Sequence, residues 1–113
     1  MTIQPGEVKF IKSGLVFKIP AGYFLAIAPR SSACKTGLEM PHSFGILDSD
    51  YCGREDELKI ALKNTTDEPV KIEKYERIAQ GYLAKAPKIT WKEIGSKELG
   101  DKSRGGFGST GKK

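Results

Sequence analysis

The chain contains no long apolar run, one histidine, two cysteines and one tryptophan in 113 residues, and each shortage excludes a class of protein. Without about 18 consecutive apolar residues no helix of this sequence can cross a bilayer. No charged start followed by an apolar stretch marks a secretory leader. The expectation is therefore a cytoplasmic protein without a membrane partner. His42 stands alone, and Cys34 and Cys52 have no Cys or His near enough to give the ligand spacings of a zinc site. The thiols are expected to be structural. Sustained three-four apolar periodicity is missing as well, which argues against a helical bundle.

What the sequence does contain is short alternating runs set between turn signals. Residues 9–19 read as a strand with Gly14 at a bulge, and Pro20-Ala21-Gly22 reads as the next turn. Residues 23–28 form another strand, closed by Pro29. Leu58, Ile60 and Leu62 alternate with Lys59, Ala61 and Lys63, placing three aliphatics on one face before a turn over 64–69. Residues 70–73 and 78–83 continue the pattern. Only 30–38 and 92–99 have room for a helical turn or two. The class is all-β, a jelly-roll-like barrel or sandwich of short strands. At about Gly95 the composition shifts to Gly, Ser and Lys, which divides the chain into a folded body over 1–94 and a flexible C-terminal arm over 95–113.

Cations outnumber carboxylates by 19 to 14, a formal net charge of +5, which favours an anionic partner. Much of the excess lies in Lys97, Lys102, Arg104, Lys112 and Lys113. The body is closer to neutral, and a broad nucleic-acid groove is not expected.

Four stretches carry chemistry. APRSS (28–32) puts the Arg30 guanidinium and the Ser31 and Ser32 hydroxyls directly after a strand, suited to phosphate oxygens and equally to an ordinary capped turn. GILDSDYCG (45–53) runs from apolar residues into Asp48, Asp50, Tyr51 and Gly53. Asp48 is expected to be partly desolvated there, the setting in which a base is tuned. The apolar stretches on either side suggest a β-hairpin around a charged corner. ERIAQ (76–80) brings Gln80 to a sheet edge, with its amide within reach of a ligand. RGGFGSTG (104–111) combines a cation, four glycines for close backbone approach, two hydroxyl donors and one aromatic for stacking.

In this order and at these separations the four stretches resemble motifs two to five of the trimeric dUTP pyrophosphatases (dUTPases). The resemblance implies a β jelly roll, a homotrimer with shared active sites, and hydrolysis of dUTP to dUMP and pyrophosphate. That activity keeps uracil out of DNA and supplies dUMP for thymidylate synthesis. It assigns to Asp48 the activation of water attacking the α-phosphorus, and to Tyr51 the ring beneath the deoxyribose. Arg30, Ser31, Ser32 and Gln80 would meet phosphates, and Gly45, Ile46 and Leu47 would read uracil through backbone groups. His42 would stand beside that base, where the family usually has asparagine. Phe107 would cover the base, with Arg104, Gly108, Ser109 and Thr110 around the β- and γ-phosphates. Mg2+ is the implied cofactor, held by the triphosphate and waters without dedicated protein ligands.

The family's first motif, of Ala-Gly-Tyr-Asp-Leu type, has no counterpart in this sequence, so a dUTP-binding or regulatory protein weakened in catalysis is the alternative. The related dCTP deaminases are a second enzyme reading, opposed by Ala61 where they need a glutamate. A basic-tailed nucleic-acid binder is the third alternative. Deleting residues 103–113 should leave the folded body intact and remove nearly all dUTP hydrolysis. A truncated chain with full turnover would contradict the role given to the arm.

Overall fold

The computed structural model describes residues 1–107 and 111. Among them the chain forms eight short strands: β1 (Thr2–Ile3), β2 (Val8–Lys12), β3 (Tyr23–Ala28), β4 (Leu38–Glu39), β5 (Gly45–Leu47), β6 (Lys59–Asn64), β7 (Val70–Lys71) and β8 (Gln80–Lys85). Helical structure among the described residues is limited to 3-10 turns at Ser31–Lys35 and Ser96–Glu98. Two three-stranded antiparallel sheets, ordered β2-β6-β4 and β5-β3-β8, are joined by the small β1-β7 pair.

The core lies between the inner faces of these sheets. Ile60 and Leu62 from β6 join Leu25 and Ile27 from β3, with Leu47, Met40, Ile3, Ile19 and Ile72 completing the cluster. Alternation explains this layer, because every second side chain of a strand shares a face. It does not explain Ala26 and Ala61, which are buried on the opposite faces. Ala26 lies between Ile46 and Tyr82 of the flanking strands, and Ala61 lies beside Phe10, so large neighbours cover the small residue.

Strand ends differ from the sequence expectation in instructive ways. The 9–19 strand stops at Lys12 because Gly14 adopts φ +76°. There the Ser13 N–H donates to the Leu58 carbonyl at 3.1 Å while the Leu58 N–H donates to Leu15 at 2.9 Å. One residue thus faces an extra one, as in a bulge. The last strand starts at Gln80, where pairing with Ala28 begins, since Ile78 and Ala79 are drawn against the core. The 45–63 region is not a hairpin. β6 already carries β2 on one edge and β4 on the other, so β5 pairs with β3 instead and residues 48–58 cross between sheets. Cys34 and Cys52 are free and exposed, so neither supports the core.

Asn64 joins the two ends of this framework. It is fully buried, and its amide nitrogen donates to the carbonyls of Ile3 (2.9 Å) and Glu68 (2.7 Å). Its side-chain oxygen accepts from the Thr66 N–H (2.9 Å) and hydroxyl (2.7 Å). Its backbone N–H donates to Glu7 and its carbonyl accepts from Gly6. A buried amide with every polar atom paired stabilises only as a complete set, because each orphaned partner costs about 1–3 kcal/mol. Asn64→Ala should therefore lower unfolding free energy by about 2 kcal/mol or more in urea titration. A loss below about 0.5 kcal/mol would contradict this role.

Candidate functional site

β3 positions the first group of predicted residues at its C-terminal end. Pro29 stops the strand, and the chain turns at Arg30 into the 3-10 helix, with the Ala33 N–H donating to the Arg30 carbonyl at 2.9 Å. The Arg30 guanidinium donates through Nη1 to the Arg77 carbonyl at 3.1 Å, and the Gln80 amide donates through Nε2 to the Pro29 carbonyl at 2.9 Å. These two bonds clamp the 30–32 and 76–80 segments together around a shallow cleft that Ser32 also lines. Ser31 and Ser32 are both exposed. One N–H of the Gln80 amide donates to Pro29, which braces the turn that carries Arg30; the amide also has a second N–H and a carbonyl oxygen with which to meet a ligand.

The second group is gathered by β5. Gly45, Ile46, Leu47, Asp48, Tyr51 and His42 line a separate cavity of about 370 Å3. As the edge strand of its sheet, β5 keeps one row of backbone N–H and C=O groups directed away from β3. The Tyr51 N–H donates to the Asp48 carbonyl (3.1 Å) and the Tyr51 hydroxyl to the Glu57 carbonyl (3.3 Å). This double anchor fixes the ring at the mouth of the cavity. The Gly53 N–H donating to Asp56 Oδ2 at 2.9 Å holds the turn behind it. His42 Nδ1 bonds the Phe44 carbonyl at 2.8 Å.

Asp48 is exposed, not partly desolvated as expected. The reason lies in the topology: Asp48 leaves β5 at its end, past the last ladder pair with β3, and none of the described residues covers it. Pairing of Leu47 with Leu25 puts Asp48 abreast of Phe24, whereas Arg30 lies six residues further along the chain, two past the end of β3. At about 3.3 Å per residue the backbone spans at most roughly 20 Å. The carboxylate group and the guanidinium group therefore lie toward opposite ends of β3.

The third group is separate again. Arg104 is exposed, Phe107 is fully exposed with φ +46°, and the Gly105 N–H donates to Ser103 Oγ at 2.9 Å. Gly108, Ser109 and Thr110 lie outside the described residues. Among the described residues no three His, Cys, Asp or Glu side chains are grouped to hold a metal ion, and no helix is long and apolar enough to cross a membrane.

Sequence reasoning missed Arg77 and Glu57, which act through backbone carbonyls that no side-chain motif records. It also missed Ser43, whose φ of +71° leaves no trace in a residue type that seldom adopts it.

Fold and site together define an all-β, jelly-roll-like protein that carries a polar-mouthed cavity on one edge strand and a guanidinium cleft at the end of the neighbouring strand. The chain belongs to the dUTPase family, whose model matches residues 1–111. It is 46% identical over 113 residues to the deoxyuridine 5'-triphosphate nucleotidohydrolase of Nautilia profundicola, covering 97% of this chain and 76% of that one. It is 40% identical over 114 residues to the enzyme of the same name from Rhizobium meliloti, covering all of this chain and 69% of that one. The crystal structure of dUTPase from Streptococcus mutans superposes with a TM-score of 0.75 at 29% identity, over 80% of this chain and 74% of that chain.

Proposed function

We infer that the protein hydrolyses dUTP to dUMP and pyrophosphate, with each active site assembled from more than one copy of the chain in a homotrimer. The observation that carries this is the division of the motif residues: a base-sized cavity ending in Asp48 on one edge of β3, and the clamped Arg30 cleft at the far end of the same strand. The relatives' names, nucleotidohydrolases of deoxyuridine triphosphate, agree with that chemistry. A neighbouring copy that set its Arg30 beside this copy's Asp48 would complete the site and cover the carboxylate.

In such a site the free backbone edge of β5 offers uracil a fixed pattern of donors and acceptors. Selection by backbone groups is strong because a mismatched buried partner costs about 1–3 kcal/mol. Tyr51, held at two points, lies under the sugar and leaves no space for a ribose 2′-hydroxyl. Arg30 is aimed by its bond to Arg77 and presents its remaining N–H groups to phosphate oxygens, with the Ser31 and Ser32 hydroxyls beside it. Asp48 takes the proton of the water that attacks the α-phosphorus, a general-base contribution of about 10²–10⁴ in rate. Phe107 covers the base, while Arg104, Gly108, Ser109 and Thr110 enclose the outer phosphates.

Mg2+ fits this donor set as an ion carried by the triphosphate and waters rather than by a protein cage. When bound, it neutralises triphosphate charge.

Asp48→Asn should keep dUTP affinity within a few-fold by calorimetry and lower pyrophosphate release by about 10² or more. Unchanged turnover would remove Asp48 from the reaction. A wild-type chain that binds dUTP without releasing product would overturn the hydrolase reading.

A further inference from the structure

Two turns of this chain are built alike and differ at one position. In Gln4-Pro5-Gly6-Glu7 the Glu7 N–H donates to the Gln4 carbonyl at 2.9 Å, and Glu7 Oε1 accepts the Gln4 N–H at 2.9 Å. In Glu73-Lys74-Tyr75-Glu76 the Glu76 N–H donates to the Glu73 carbonyl, and Glu76 Oε2 accepts the Glu73 N–H at 2.8 Å. The third residue has positive φ in both, +75° at Gly6 and +66° at Tyr75. That state suits glycine and strains a bulky side chain. The backbone bond that closes the turn is 3.2 Å long beside Tyr75, against 2.9 Å beside Gly6.

Among the described residues little offsets this strain. The Tyr75 ring is 89% exposed, and the Lys74 ammonium 5.0 Å from its centroid adds only a weak surface attraction. Left-handed backbone at a residue other than glycine moves the balance of a turn by roughly 5–30-fold toward its open state. The turn also runs directly into the Arg30 cleft. Glu76 and Arg77 line that cleft with Arg30, and the Arg77 carbonyl accepts from Arg30 Nη1 at 3.1 Å. When the turn opens, this carbonyl leaves its place and the guanidinium loses its aim.

We propose that the Glu76 carboxylate positions Arg30 for phosphate by closing the 73–76 turn, and that strain at Tyr75 leaves a fraction of these turns open. This rests on the dUTP reading above. Only the closed fraction presents Arg30, so the apparent affinity for a triphosphate falls with that fraction. Glu76 acts through the backbone of Arg77 and is a positioning residue. Tyr75 lowers triphosphate affinity, and glycine in its place restores it.

The test uses three variants of the full chain. Affinity for the imido analogue of dUTP, measured by calorimetry, is set against that of deoxyuridine, which has base and sugar without phosphate and is measured by displacement of the analogue. Tyr75→Gly should tighten the analogue at least about twofold. Glu76→Ala should bind it at least about threefold more weakly than Glu76→Gln, because both lack the charge and only the glutamine oxygen still accepts the Glu73 N–H. Deoxyuridine should change by less than about twofold throughout. Hydrogen exchange at the Glu73 amide reads the turn itself. It should be slower in Tyr75→Gly than in the unmodified chain, and faster in Glu76→Ala than in Glu76→Gln. Tyr75→Gly removes strain rather than a contact, so it decides the matter even where Glu76→Ala fails to fold. No gain in Tyr75→Gly, equal affinities in the two Glu76 variants, or a parallel change in deoxyuridine would overturn the proposal while leaving dUTP binding intact. Failure of the unmodified chain to bind the dUTP analogue would overturn the functional reading itself.

Discussion

β3 is the constraint on which the rest depends. It is the middle strand of its sheet, with β5 on one edge and β8 on the other, and its antiparallel registers decide where each motif residue emerges. Gln80 opens β8 opposite Ala28, so it can reach back to the Pro29 carbonyl and brace the turn that carries Arg30. Gly45 opens β5 opposite Ile27, so β5 runs back along β3 and delivers Asp48 at the other end. Short strands could have set these residues side by side only by another register. In this register every side chain of β3 would move to the opposite face if the pairing slipped by one residue, and the inner pair Leu25 and Ile27 resists that.

The framework around β3 is held by polar bonds as much as by apolar burial. The core cluster is small, and the turn from β6 to β7 is organised by Asn64, which ties β1, β6 and the 64–68 turn through both its amide and its backbone. Function uses the same device at lower burial. Arg30, Gln80, Tyr51 and His42 each spend a hydrogen bond on a backbone carbonyl of their own chain. Each is thereby oriented before any ligand arrives, which reduces the ordering cost of binding.

Much of this was legible in the sequence where one physical rule acts alone. The β3 limits follow from a six-residue apolar run between Gly22 and Pro29, and the inner face of β6 follows from alternation. The motifs could be located because their residue types are tied to phosphate and base chemistry. What was not legible depends on competition between elements. The supposed hairpin at 45–63 fails because β6 has no free edge, and that depends on where β2 and β4 land. The exposure of Asp48 and the bond from Gln80 to Pro29 depend on register. The positive φ at Ser43 is a backbone state that its residue type does not announce.

The central claim is that one chain holds only parts of each site, with Asp48 and Arg30 used by different copies. It is tested most directly by mixing two inactive variants. Asp48→Asn chains and Arg30→Ala chains, dissociated together in equal amounts and reassembled, should recover about a quarter of wild-type dUTP hydrolysis, because that share of sites draws both intact residues from different copies. A mixture no more active than its two parents would contradict the account.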